Sequence, residues 1–252
     1  YYATSTSPGT CVQTFSNNLI SNINCSVQGT GSFYGIYTSE GNTSPYPRKL
    51  IFNNTLSNIN MNGTGTFYGI YATDLGDAGT AGGSAIYNNE LSNLTFADIL
   101  YGLYTSTPTS PQYAAMVYSN TVRGLTTNGS SSTIYGAYLG SSNAGISFYK
   151  NRIADVTANG GTGTAHGLYG VATSTSNIYN NLIGNINAPA STGTNKANGI
   201  YLSSGTNVNI FFNTIYLSGT SAGANFGSNG IYASVTPVLN LRNNIVVNNL
   251  VP

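Results

Sequence analysis

Hydrophobic positions in this chain recur in columns tied to one asparagine per repeat. The asparagines are Asn18, Asn54, Asn89, Asn120, Asn151, Asn181, Asn213 and Asn244. Three residues before each stands a hydrophobe: Phe15, Ile51, Ile86, Val117, Phe148, Ile178, Ile210 and Leu241. Two residues after each stands another: Ile20, Leu56, Leu91, Val122, Ile153, Ile183, Ile215 and Val246. A third column comes from a phrase first met as Tyr-Gly-Ile-Tyr at 34–37: Ile36, Ile70, Leu103, Ala137, Leu168, Ile200 and Ile231. The glycines of that phrase follow one another at 34, 33, 34, 31, 32 and 31 residues. Self-similarity at such a period marks a stacked repeat architecture.

The repeats are built of strands. They lack a 3.6-residue apolar period and are rich in Gly, β-branched and aromatic residues. The first two columns lie five residues apart, an odd number, whereas strand side chains alternate with period two. Both can face inward only if the chain bends between them. Asparagine tolerates the left-handed backbone that such a bend requires. The anchors are therefore expected to make the bend and to hydrogen-bond from coil to coil as a ladder. The glycine of the Tyr-Gly-Ile-Tyr phrase is expected to permit a turn. Three short strands per coil, an internal bend and a Gly/Thr-rich corner (GTGS, GTGT, NGSSST, GGTGT, STGT) describe an all-β parallel solenoid. It would comprise seven to eight coils of 30–36 residues in one domain over 1–252.

These columns resemble right-handed parallel β-helix repeat proteins, with the Asn ladder of that superfamily. The stretch "NGIYLSSGTNVNIFFNTIYLSG" (198–219) is similar to coils of very large bacterial secreted and cell-surface proteins. The resemblance covers nearly the whole chain and speaks for fold. The fold itself hosts lyases, hydrolases, adhesins and ice binders, so function has to come from the side chains.

Composition narrows the choice. Charged residues make up 5% and the formal net charge is +1, which gives no electrostatic case for a nucleic-acid or anionic-membrane partner. No apolar run approaches the roughly 20 residues of a spanning helix. The start has no basic and apolar leader, and YYATSTSPGT reads as a cut from a longer chain or the product of leader removal. Cys11 and Cys25 close a short loop and are candidates for a disulfide, as an exported protein would carry, with two free thiols as the alternative. Secretion to a bacterial cell surface is the expected location.

With the isoleucine column inside, the next residue faces out. It is tyrosine every time: Tyr37, Tyr71, Tyr104, Tyr138, Tyr169, Tyr201 and Tyr232. A second outward aromatic column is Phe52, Tyr87, Tyr118, Tyr149, Tyr179 and Phe211, with Ser16 and Arg242 at its ends. Stacked rings stabilise a parallel sheet. They also offer an aromatic face to sugars or to another protein.

Catalytic vocabulary is poor. Glu90 has Thr55 and Thr121 as coil neighbours, and Asp155 has Gly124 and Asn185, so neither column pairs two acids as sugar cleavage needs. Glu40, Asp74 and Asp77 share a corner with Arg48 and Lys49, on the longest connections of the chain. They read as solvated loop charges or as a weak calcium site. His166 takes a slot held elsewhere by tyrosine and has no acid or serine partner. The expectation is a non-enzymatic extracellular structural or adhesive protein without a cofactor. It would stack end to end or side by side with itself, or bind surface glycans or other surface proteins. The alternatives are a carbohydrate-binding helix using the tyrosine face and the loops 38–50, 72–85 and 105–116, and an ice binder. For the latter, the Thr64/Thr66 and Thr162/Thr164 pairs have no match in the intervening coils.

Overall fold

A computed structural model describes residues 2–3, 12–39, 47–75, 83–107, 114–141, 145–172, 175–223 and 225–251. Within them the chain winds as a parallel β-solenoid of three sheets, each of eight parallel strands. Every coil contributes one strand to each sheet in turn. In the third coil these are Thr66–Ala72, Ala85–Tyr87 and Glu90–Phe96. The first sheet carries the Tyr-Gly-Ile-Tyr phrase, the second runs up to the anchor asparagine, and the third leaves it. Among the described residues all regular structure is strand, and no helix is long and apolar enough to cross a membrane.

Pairing sets like over like. Tyr68, Tyr101 and Tyr135 are register partners, and so are Leu56, Leu91 and Val122. All three expected hydrophobic columns line one continuous core. Each fully buried Ile, Leu or Val adds roughly 1.5–3 kcal/mol, so the stacked columns are the main source of cohesion. Six coils, from Phe33–Thr38 through Thr214–Thr220, have a paired coil on both sides. The expected seven to eight coils thus reduce to about six complete ones. The outermost rungs pair on one side only, and in the last described coil the column residues Leu241 and Val246 are exposed.

The anchors do form the ladder, but they do not make the bend. Positive φ belongs to the residue before each anchor: Asn17, Asn53, Asn88, Ser119, Lys150, Asn180, Phe212 and Asn243, at 53–59°. Turning that residue left-handed rotates the anchor's side chain into the interior. There its amide is fully used. Asn120 Nδ2 donates to Ile86 O (2.9 Å) and Asn151 Oδ1 (3.0 Å), while its Oδ1 accepts from Asn89 N (3.0 Å) and Asn89 Nδ2 (2.9 Å). The bend also satisfies backbone groups that a corner would otherwise leave without partners.

A second left-handed station lies four residues after the anchor, at Asn22, Asn58, Asn93, Gly124, Asp155 and Asn185. It brings a further aliphatic column inward: Ile59, Leu94, Leu125, Val156 and Ile186. This station ends in the seventh coil. There Ile215 and Leu217 are both buried by ordinary alternation.

Candidate functional site: the tyrosine sheet

The first sheet owes its outer face to a break in alternation. Along Thr66–Ala72, Phe67, Gly69 and Ile70 are buried while Tyr68 and Tyr71 are half-buried, so two successive residues point inward between two outward tyrosines. Glycine is needed there for space, not for a turn. None of the seven phrase glycines has a positive φ. A Cβ on Gly102 would lie 2.5 Å from Gly136 O and 2.8 Å from Val122 Cγ1, and its counterparts meet the same aliphatic column. The expectation of a turn-making glycine is corrected accordingly.

The result is two parallel ring ladders on one face. The expected column, Tyr37 through Tyr201, stacks with ring centroids 4.8–5.3 Å apart and planes within 10°. Tyr232 continues it at 5.1 Å with a 32° tilt. Beside it Tyr34, Tyr68, Tyr101 and Tyr135 stack at 4.6–5.0 Å, and His166 caps them at 5.2 Å. The two ladders meet edge to face, as in Tyr68–Tyr71 at 82°. Each such ring pair contributes about 0.5–1.5 kcal/mol beyond its buried area. Sequence reasoning noticed the second ladder only as the slot His166 interrupts. Its signal was there, since both tyrosines of the repeated phrase recur.

Stacking covers the ring faces and leaves edges and hydroxyls outward. It also desolvates the phenols. Burial first, and neighbouring tyrosines second, push Tyr71 and Tyr138 up to about 12, and Tyr101 higher still. Tyr135 is likewise raised to about 12 by burial and by Tyr169 and Tyr138. These four phenols stay protonated through the physiological range.

The inner ladder ends at a notch of about 280 Å³, lined by Thr133, Tyr135, Thr164, His166, Tyr169, Asn195 and Tyr201. At the next rung the ladder position holds Asn198, fully buried, whose Nδ2 donates to Asn195 O at 2.9 Å and lies 3.4 Å from His166 Nδ1. His166 is itself buried. Burial and then the nearby Lys196 ammonium lower its pKa to about 3, so the imidazole is neutral. Lys196 Nζ donates to Thr162 O (3.0 Å) and Thr164 Oγ1 (3.2 Å).

The second sheet carries the other aromatic column as expected. Phe52, Tyr87, Tyr118, Tyr149 and Tyr179 stack at 4.8–5.0 Å, and the Arg242 guanidinium sits 6.0 Å from the Phe211 ring centre. On the first sheet the outward position two before the inner tyrosine is Thr66, Ile99, Thr133 and Thr164 in successive coils, so a threonine array is interrupted by Ile99.

Charged side chains are dispersed. Glu90 bridges diagonally to Arg123 at 2.9 Å, and Asp155 accepts from Asn185 Nδ2 at 2.9 Å. Of the suggested calcium ligands, Glu40 and Asp77 lie outside the described residues, and Asp74 is buried with a φ of 55°. Among the described residues no three His, Cys, Asp or Glu side chains group as metal ligands. Lys49 departs from its expected place on a solvated corner. It points into the solenoid, fully buried, with Nζ donating to Thr73 O at 2.6 Å. Its register partner Gln13 is polar too, and so is Ser84, whose Oγ accepts from Lys49 N at 3.0 Å, a signal that the column holds polar side chains in the early coils. Cys25 carries a free thiol, and its expected partner Cys11 lies outside the described residues. About half of the loops 38–50, 72–85 and 105–116 also lies outside them.

Comparison with protein-family models, curated proteins and solved structures finds no match to this chain.

Proposed function

We propose that this chain is a rigid, non-catalytic scaffold of an exported surface protein, serving adhesion or assembly through its repeated faces. One observation carries the reading: its interior anchor amides and the tyrosines of its first sheet are spent on cross-coil contacts. The interior amides bond along the Asn ladder, and the tyrosines of the first sheet cover one another's faces. Glu90 pairs in register with Thr55 and Thr121, and Asp155 is bonded to Asn185, so neither acid faces a second one in its column. A face of this kind is stiff, neutral and regular. It suits contact with a surface glycan, another surface protein or a second copy better than bond cleavage. Because each coil pairs with the next in one register, the same pairing would accept a coil of a second copy.

Electron microscopy and light scattering of the purified chain, with incubation on bacterial and plant polysaccharides, test this reading. We expect rod-like particles that associate with concentration, and no release of reducing ends or unsaturated sugars. Turnover of a polysaccharide that Glu90→Gln or Asp74→Asn abolishes would replace it with an enzymatic function.

A further inference from the structure

We propose that the notch at the end of the inner tyrosine ladder binds a single pyranose ring of a glycan. The inference rests on the adhesive reading and names the class of ligand that one place on the scaffold would take. Over this face each ring is covered by the rings above and below, so edges and hydroxyls are offered, and this holds for Tyr135, Tyr169 and Tyr201 at the notch as well. What changes there is that the inner ladder stops. Beyond His166 the ladder position is filled by the short, fully buried Asn198, while the outer column goes on as Tyr169 and Tyr201. A concavity of about 280 Å³ opens at this break, lined by ring edges and by Thr133, Thr164 and Asn195. This pairing of ring edges with hydroxyl and amide groups complements a pyranose, which carries C–H bonds and hydroxyls around one small ring. The shallow notch has no deep apolar floor, which disfavours a hydrophobic ligand.

The imidazole of the notch is uncharged, and the formal charge at its rim is the Lys196 ammonium. His166 is uncharged at physiological pH because it is buried beside an ammonium. That ammonium, Lys196, is tied to Thr162 O and Thr164 Oγ1 and acts as a brace at the rim. Further, Asn195 is held in a left-handed turn (φ 54°), and its Oδ1 accepts from Asn229 Nδ2 at 3.0 Å, so the amide at the rim is positioned before any ligand arrives.

The test titrates the full chain with the methyl pyranosides of glucose, galactose and N-acetylglucosamine, read by ligand-observed NMR and by tyrosine fluorescence, which no tryptophan obscures. Binding of at least one, weakened about tenfold or more by Thr133→Phe and by Tyr201→Ala but unchanged in Tyr71→Ala, supports the site. Thr133→Phe fills the notch from the rim at a column position where Ile99 already carries a large apolar side chain, so folding should survive. Binding of none of the three, or binding that both notch variants retain, overturns the proposal. Either of those outcomes leaves the adhesive scaffold standing if the chain still associates without cleaving polysaccharide.

Discussion

At the scale of the residue, two asparagines side by side do different work. In the pair Asn88–Asn89 the first supplies the left-handed backbone at φ 54° and the second supplies the buried amide. The roles separate by mutation. Asn120→Ala strips four hydrogen bonds from groups that remain buried, and its cost should be roughly 3–5 kcal/mol. Asn88→Gly keeps the positive φ, and its cost should stay within about 1 kcal/mol. Chemical denaturation followed by far-UV circular dichroism measures both. Equal losses in the two variants would mean that the buried amide of the ladder contributes no more than the side chain of the bend residue beside it. The sequence made the ladder legible, because the anchor recurs without exception. It did not reveal which asparagine bends, because backbone dihedrals leave no mark on a column where several neighbours are also Asn.

At the scale of the element, the first sheet converts a short phrase into a surface. Ile and Gly face in together, and two tyrosines face out three residues apart, which alternation alone would forbid. The outward direction of the second tyrosine could be read from its neighbour in the core. The crowding at glycine could not, since it depends on Val122 and its equivalents reaching across from the third sheet. Packing of the rings makes a pH prediction. A phenol is neutral in both folded and unfolded chains below its ordinary value of 10. Above that, the unfolded chain loses protons that Tyr71, Tyr135 and Tyr138 keep until about pH 12. The unfolded state then binds fewer protons, so stability is constant up to about pH 10 and falls as pH rises toward 12. Ultraviolet titration of the native chain should give two groups of tyrosines, the later one shrinking in Tyr101→Phe. A single ionisation step near the ordinary value, with stability unaffected, would mean that the rings are solvated.

At the scale of the whole molecule, repetition explains both what the sequence disclosed and what it hid. Columns recur because each coil rests on the next in one register, so fold class, core and ladders could be read from periodicity. Departures from repetition were the hard part. Lys49 looks like a surface charge because lysine usually is one, yet its strand position points inward and a carbonyl receives it. The notch was only half disclosed. The sequence shows His166 and Asn198 in slots held earlier by tyrosine, but not the concavity that opens at that break.

The claim beneath all of this is the register of the coils, and cysteine trapping tests it most directly. In a background with Cys11 and Cys25 replaced by serine, Arg152→Cys with Leu182→Cys places two exposed thiols on paired positions of adjacent coils. Strands at about 4.8 Å allow a disulfide there. Arg152→Cys with Thr214→Cys spans two coils, because Leu182 pairs in turn with Thr214, and at roughly twice that spacing no bridge can close. Rapid oxidation within one chain of the first pair and not of the second is the predicted result. Oxidation of the second pair, or equal behaviour of the two, would contradict the stacked solenoid.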